Sequence, residues 1–467
     1  MGSTTVPPVI PPLTAFERIG PKGWIRYVFL FQLAEDYEIR KIADIIRHGF
    51  DEVKERFPEA DCEAVPDLES RQQGVFKLQK LRSGEIESVV VKDLRHPDKF
   101  VWTYDELKAQ SFPVSAFDAN LLCRGSVWAA LGERMPISLS QANFIRGGLI
   151  LTWNIFHMVG DGTSFCTWMK VWAEGCRRAQ ALDIPDPIQL HPDIWNDREQ
   201  LMKPSGRNHG RLEDHPEYTL LPFTPTGAPP KMLSPHHRGQ VFRFSPESLK
   251  KLKADASPVN ASEPSDQEWI STNDAVSALI WRTVMAVQSP MELLEGDPVS
   301  NFGISINGRQ RMSPKIHPDT SGCFLGFVPV IAPVREILGH FNFADLAILI
   351  RKAVLRADDQ FGDDVVTLVD SVDDVSKLVP TAFLDIPGFN CVFSSWTAFS
   401  LYSLDWGPIL GENIDAVRTP SVGLINGGQF ILPVLPDGGM EVLMGVDESC
   451  LDRLRNDSLL NKYAIAV

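Results

Sequence analysis

Positive charge is scarce in this chain of 467 residues: 45 Lys and Arg stand against 60 Asp and Glu, a net charge of −15. That balance argues against broad nucleic-acid binding, which needs a basic footprint. It also argues against a polybasic attachment to anionic lipid. A small anionic ligand held by a few local basic side chains remains compatible with it. Long apolar runs are missing too. The longest, 324–334, is interrupted by prolines and falls well short of the ~20 residues that a membrane-spanning helix needs. The seven cysteines (62, 123, 166, 176, 323, 391 and 450) are odd in number, scattered and never spaced C-x-x-C. Neither a disulfide framework nor a zinc site is indicated. The Pro-rich residues 1–13 lack the basic and apolar regions of a secretory signal. These absences predict a soluble, cytoplasmic protein without membrane or nucleic-acid partners, and they make the N-x-S matches at Asn260 and Asn456 chance occurrences.

The hydrophobic share, 44%, is that of an ordinary globular chain. The length predicts two or more domains, or two fused halves. Residues 24–33 read as a buried strand, and 36–57 as a helix with apolar residues at helical spacing, stopped by Pro58. A strand is expected near 86–91 and a long one over 144–157. A Gly- and Asp-rich turn follows, then a helix capped by Thr163 and running to about 181. Residues 183–235, rich in Pro, Asp, His and Arg, read as a long connection. Beyond it, strands are expected at 240–244, 301–306, 324–330, 390–394, 429–434 and 440–444. Helices are expected from Pro246, over 275–287 behind Ser271 to Asp274, over 334–355, and near Asp447. The alternation indicates α/β architecture.

The chemically informative segment is His157-Met158-Val159-Gly160-Asp161-Gly162. A His ends an apolar strand, and a Gly-rich turn leads into a helix. A strand end combines a rigid backbone with an accessible side chain, and an imidazole titrates near neutrality, so His157 is a candidate general base. The four-residue His-to-Asp spacing is weak by itself, and a hydrogen-bonded core histidine is the competing interpretation. With Ser394-Ser395-Trp396 and Tyr402-Ser403-Leu404-Asp405-Trp406-Gly407 late in the chain, however, the sequence resembles the BAHD acyltransferases. It is most similar to their fungal, trichothecene acetyltransferase-like branch. His157, Asp161 and Gly162 match the family's H-x-x-x-D-G; Asp405 and Gly407 match its D-F-G-W-G, with Trp406 in place of Phe and the second W-G absent. Weaker similarities lie at 13–18, 274–282, 307–311 and 437–442, in the family's order. One departure is Phe327, where the family carries Asn.

The resemblance implies two chloramphenicol-acetyltransferase-like domains with mixed sheets flanked by helices: 1–182, then a crossover linker 183–238, then 239–467. It implies an acyl-CoA-dependent O-acyltransferase, with no permanently bound cofactor and no metal. Acyl-CoA, most simply acetyl-CoA, would be co-substrate, and a small-molecule alcohol of secondary metabolism the acceptor, bound by a monomer. His157 would act as general base in a ternary complex. Asp161, Gly162, Asp405, Gly407, Arg309 and Arg311 would support the site: Asp161 would fix the turn by pairing with an arginine, and Asp405 would pair with Arg309 or Arg311. Ser394 and Trp396 would contact the oxyanion or substrate. Lys315 and the cluster His236-His237-Arg238 are candidates for the CoA phosphates. The alternative is a repurposed fold, a non-acylating cyclase or isomerase, or a binding protein.

Overall fold

The computed structural model describes residues 10, 12–130, 132–190 and 203–467. Most of the Pro-rich start and residues 191–202 of the connection lie outside the described residues. The chain builds two large mixed sheets. The first is five-stranded, in the order Ala416–Arg418, Trp24–Gln32, Gly148–Phe156, Ser138–Ile145, Val89–Asp93. Its pairings are antiparallel except the last, which is parallel. On one face lie helices Ile39–Arg56 and Gly162–Ala179, whose apolar stripes close a core with the sheet. Trp153, from the sheet, meets Phe50 and Trp172, one from each helix, edge-on at 5.7 and 4.9 Å.

The second sheet is seven-stranded, in the order Leu325–Pro333, Val299–Asn307, Cys391–Ser395, Gly428–Ile431, Met440–Asp447, His237–Phe244, Ile465–Ala466. Helix Thr272–Gln288 starts with a capping box, Ser271 and Asp274 each bonding the other's backbone N–H. It and helix Phe343–Arg356 contribute to the core of this half, where Trp281 and Phe393 both stack with the Phe302 ring, at 5.4 and 5.2 Å. The mixed α/β fold with helix-flanked sheets is therefore as expected.

Three local expectations change. The long strand over 144–157 is one arm of a hairpin: Ser138–Ile145 and Gly148–Phe156 pair with Ile145 opposite Gly148, so Arg146 and Gly147 form the two-residue turn. Gly147, at φ 77°, supplies the left-handed conformation that such a turn requires. The helix after the turn is capped by Asp161 rather than Thr163. The helix over 334–355 is two, Val334–Gly339 and Phe343–Arg356, because Asn342 breaks in to cap the second. Sheet membership also departs from chain order. Ala416–Arg418, late in the chain, pairs with Trp24–Gln32 of the first sheet. Within the crossover, Tyr218–Leu220 pairs with Leu378–Pro380.

Candidate active site

His157 follows the last residue of strand Gly148–Phe156. Its backbone N–H donates to the Gly23 carbonyl at 2.7 Å, which ties it to the start of the neighbouring strand. The ring Nδ1 lies 3.0 Å from the Gly160 carbonyl. A carbonyl only accepts, so Nδ1 carries the hydrogen and Nε2 keeps its lone pair. Burial pushes the imidazole pKa down, outweighing the Gly160 carbonyl and the Asp161 carboxylate, which oppose it. The ring is thus neutral near pH 7, with one nitrogen ready to accept a proton.

Asp161 is buried and uses both oxygens. Oδ1 accepts from the backbone N–H groups of Thr163 and Ser164 at 3.1 and 3.0 Å, capping helix Gly162–Ala179. Oδ2 accepts from Arg309 Nη1 at 2.6 Å and from the Phe324 backbone at 2.9 Å. Burial pushes its carboxyl up, but Arg309 and these donors outweigh that and hold it below the ordinary carboxylate range. Arg309 is fully buried. Its remaining donors reach the Thr320 carbonyl at 2.9 Å, Ser164 Oγ at 3.0 Å and the Gly322 carbonyl at 3.1 Å. Its guanidinium lies over the Phe324 ring at 4.2 Å. The turn after His157 is therefore clasped by loop 320–324 from the other half. Gly162 completes the contact. A Cβ there would come within 2.4 Å of the Phe399 ring, so any larger residue would require that ring to move away from the start of the helix.

The second motif is built differently. Asp405 is exposed. The expected pairing of Asp405 with Arg309 or Arg311 is corrected: Asp405 pairs with Arg177, in the last turn of helix Gly162–Ala179. Arg309 is already saturated by Asp161 and its carbonyl neighbours, and Arg311 donates to the Ala357 carbonyl at 2.5 Å, just past the end of helix Phe343–Arg356. Asp405 Oδ1 also accepts from Gly407 N at 2.8 Å, and Gly407, at φ 82°, turns the chain as a side-chain-bearing residue rarely does. Trp406 is fully buried, edge-on to Phe31 at 5.2 Å and near Trp172 at 5.9 Å. This segment anchors the late chain in the core of the first half.

Ser394 is half-buried near the end of strand Cys391–Ser395, and its hydroxyl has no partner among the described residues. Trp396 is buried, with its backbone N–H committed to the Ile431 carbonyl at 2.9 Å and its ring beside Tyr27 at 5.1 Å. That amide is not available to an oxyanion. Of the phosphate candidates, His237 is buried and held neutral, its pKa pushed down to about 4 by burial. His236 and Arg238 both engage Glu448, at 2.6 and 2.8 Å. Lys315 is exposed and forms no ion pair among the described residues. Phe327 packs in an apolar cluster, edge-on to Phe383 at 5.8 Å. Arg177, Ser164, Gly322 and Phe399 were not singled out from the sequence. Their roles arise from long-range packing, which leaves no local pattern.

A profile of the Transferase family matches residues 107–444, and one described as trichothecene 3-O-acetyltransferase-like N-terminal domain matches 24–176. The chain belongs to the Transferase family. The resemblance to BAHD acyltransferases, and with it the expectation of an acyl-CoA-dependent O-acyltransferase, is borne out. The chain is 25% identical to an eremophilane O-acetyltransferase of Penicillium rubens, over 97% of both proteins. It is 26% identical to an enoyl-CoA isomerase/hydratase of Penicillium crustosum over 98% of its own length, but spans only 51% of that protein. Its fold matches F. graminearum TRI101 solved with coenzyme A and deoxynivalenol, at a TM-score of 0.81 and 21% identity, covering 97% of this chain and 99% of the other.

Proposed function

We propose that this protein transfers an acyl group, most simply acetyl, from acyl-CoA to a hydroxyl of a secondary metabolite, with His157 as general base. The observation that carries the reading is the fixed tautomer of His157: Nδ1–H is committed to Gly160, and Nε2 is a neutral base at a strand end. In a ternary complex Nε2 takes the proton from the acceptor hydroxyl as its oxygen attacks the thioester carbonyl. The tetrahedral oxyanion then collapses, the C–S bond breaks, and the CoA thiolate leaves and takes up a proton. No covalent acyl-enzyme is required: all seven cysteines are buried, and Cys166 has its thiol pKa raised by burial. Ser394 is the better placed of the two oxyanion candidates, since the Trp396 amide is occupied. Asp161 and Arg309 act as positioning residues that hold the turn. Lys315 is the remaining candidate for a CoA phosphate.

No helix among the described residues is long and apolar enough to cross a membrane, which suits the proposed cytoplasmic monomer. The domain assignment is likewise proposed as 1–182 and 239–467 around the crossover 183–238, with residues 416–418 lent to the first sheet. The test is purified protein with a panel of acyl-CoA donors and an extract of hydroxylated metabolites. Thiol release matched by an acyl mass increment on one product supports the reading. An isomeric product without thiol release would replace it with the repurposed-fold alternative.

A further inference from the structure

Three extended segments meet at Gly23. On one side the His157 backbone N–H donates to the Gly23 carbonyl, in register with the pairing of Trp24 and Phe156. On the other side Gly23 pairs with Trp128 in an antiparallel bridge. Residues paired across strands present their side chains to one face, so Trp128 and His157 stand on the same side of the sheet. Gly23, between them, has no side chain. Two strand spacings put the Cα atoms of Trp128 and His157 roughly 10 Å apart. The indole leans into the gap: a Cβ at Gly23 would lie 2.8 Å from Trp128 Cε3 and 3.0 Å from its Cζ3. Those carbons belong to the six-membered edge, which puts the ring N–H on the far edge of the indole.

That N–H is buried and has no hydrogen-bond partner among the described residues. The indole packs on an apolar wall from the second half that includes Phe327, Ile386 and Val392. Phe327 and Val392 share one face of the second sheet, since Val392 pairs with Gly303 and Phe327 with Ser305, two residues on. Ser394, two residues past Val392 on the same strand, lies on that face too. Trp128 therefore stands where the face carrying the candidate base meets the face carrying the candidate oxyanion donor. Buried donors are normally satisfied, and an apolar wall offers this one nothing.

We propose that Trp128 sets acceptor specificity: its indole N–H donates to a second, hydrogen-free oxygen (a ketone, ether or epoxide) on an alcohol whose skeleton is otherwise apolar. The hydroxyl to be acylated meets His157 Nε2, and the second oxygen lies an apolar span away. An indole N–H only donates, so its ligand atom must accept. The apolar wall suits a neutral oxygen over an ionised one, whose desolvation it would not offset. The carbonyls of acyl-CoA are the other source of the same chemistry. Naming the ligand an acyl acceptor rests on the acyltransferase reading; the oxygen subsite does not.

The test is NMR of the full chain carrying nitrogen-labelled tryptophan, which gives one indole N–H signal for each of the 11 Trp residues. The Trp128 signal is the one missing from Trp128→Phe, or from Trp128→Tyr where the first variant fails to fold. The probe is camphor, a rigid apolar ketone without a donor. Camphor moves the Trp128 signal downfield, and its Kd weakens about tenfold in whichever variant folds. A Trp128 signal that stays in place up to the solubility of camphor, or an unchanged Kd in the variant, overturns the subsite. Acetyl-CoA alone leaves the signal in place; a downfield shift on adding it overturns the assignment to the acceptor in favour of a donor carbonyl. Thiol release from acetyl-CoA with the metabolite extract reports separately on acyl transfer. Its absence beside a camphor shift fails that reading and keeps the subsite.

Discussion

Asp161 and Asp405, the acidic residues of the two motifs, each meet an arginine, and there the likeness ends. Asp161 is buried with four donors on its carboxylate, and its partner Arg309 is wholly enclosed. Asp405 is open to water, with its side chain 48% exposed, and its partner Arg177 sits at a helix end. The same pair of residue types is a lock in one place and a surface contact in the other. The difference is solvent: a buried pair cannot lose one member without stranding the other, whereas water replaces either member of an exposed pair. In the second motif the buried Trp406 does the anchoring.

Four experiments probe that contrast. His157→Ala should have the largest effect, lowering acyl transfer by about 10²–10⁴-fold with little change in unfolding midpoint; undiminished thiol release would remove His157 from the chemistry. Asp161→Ala should destabilise by about 3–5 kcal/mol in denaturant unfolding, since it leaves Arg309 buried and unpaired. Gly162→Ala should cost about 1–3 kcal/mol by pressing on Phe399, and a double-mutant cycle with Phe399→Ala should recover part of it. Asp405→Ala should cost under about 1 kcal/mol; a loss equal to that of Asp161→Ala would erase the distinction.

Acid provides a further comparison, within the second half. His237 accepts from Gly427 N at 2.7 Å through Nε2, with Nδ1 near the Val422 carbonyl, so the fold needs it neutral. Its pKa falls from an ordinary 6.5 to about 4. The unfolded chain takes up the proton first, so this contribution to stability is complete above pH 6.5 and is lost as pH falls toward 4. Unfolding midpoints across that window should decline, and decline less steeply in His237→Gln.

Much of the fold could be read from pattern. Apolar spacing placed helix Ile39–Arg56 and the capping residues placed helix Thr272–Gln288, because both signals are local. The hairpin at Arg146 and Gly147 was hidden because its first arm, Ser138–Ile145, buries Ser138, Ser140, Gln141 and Asn143 along with its apolar residues, so composition does not mark it as a core strand. At the site, His157, Asp161 and Arg309 could be named from their motifs, and the structure brings Asp161 and Arg309 together. The partner of Asp405 could not, since nothing in the neighbourhood of Arg177 marks it as facing a turn more than two hundred residues away.

The short strand Ala416–Arg418 has a practical consequence. It is the neighbour that covers the outer edge of Trp24–Gln32, a nine-residue strand reading WIRYVFLFQ. A gene fragment ending in the crossover would present that apolar edge bare, a template for chain-to-chain association. Separately expressed halves should therefore clump, and should become soluble only when co-produced, as a split protein whose fragments stitch back together through those three residues.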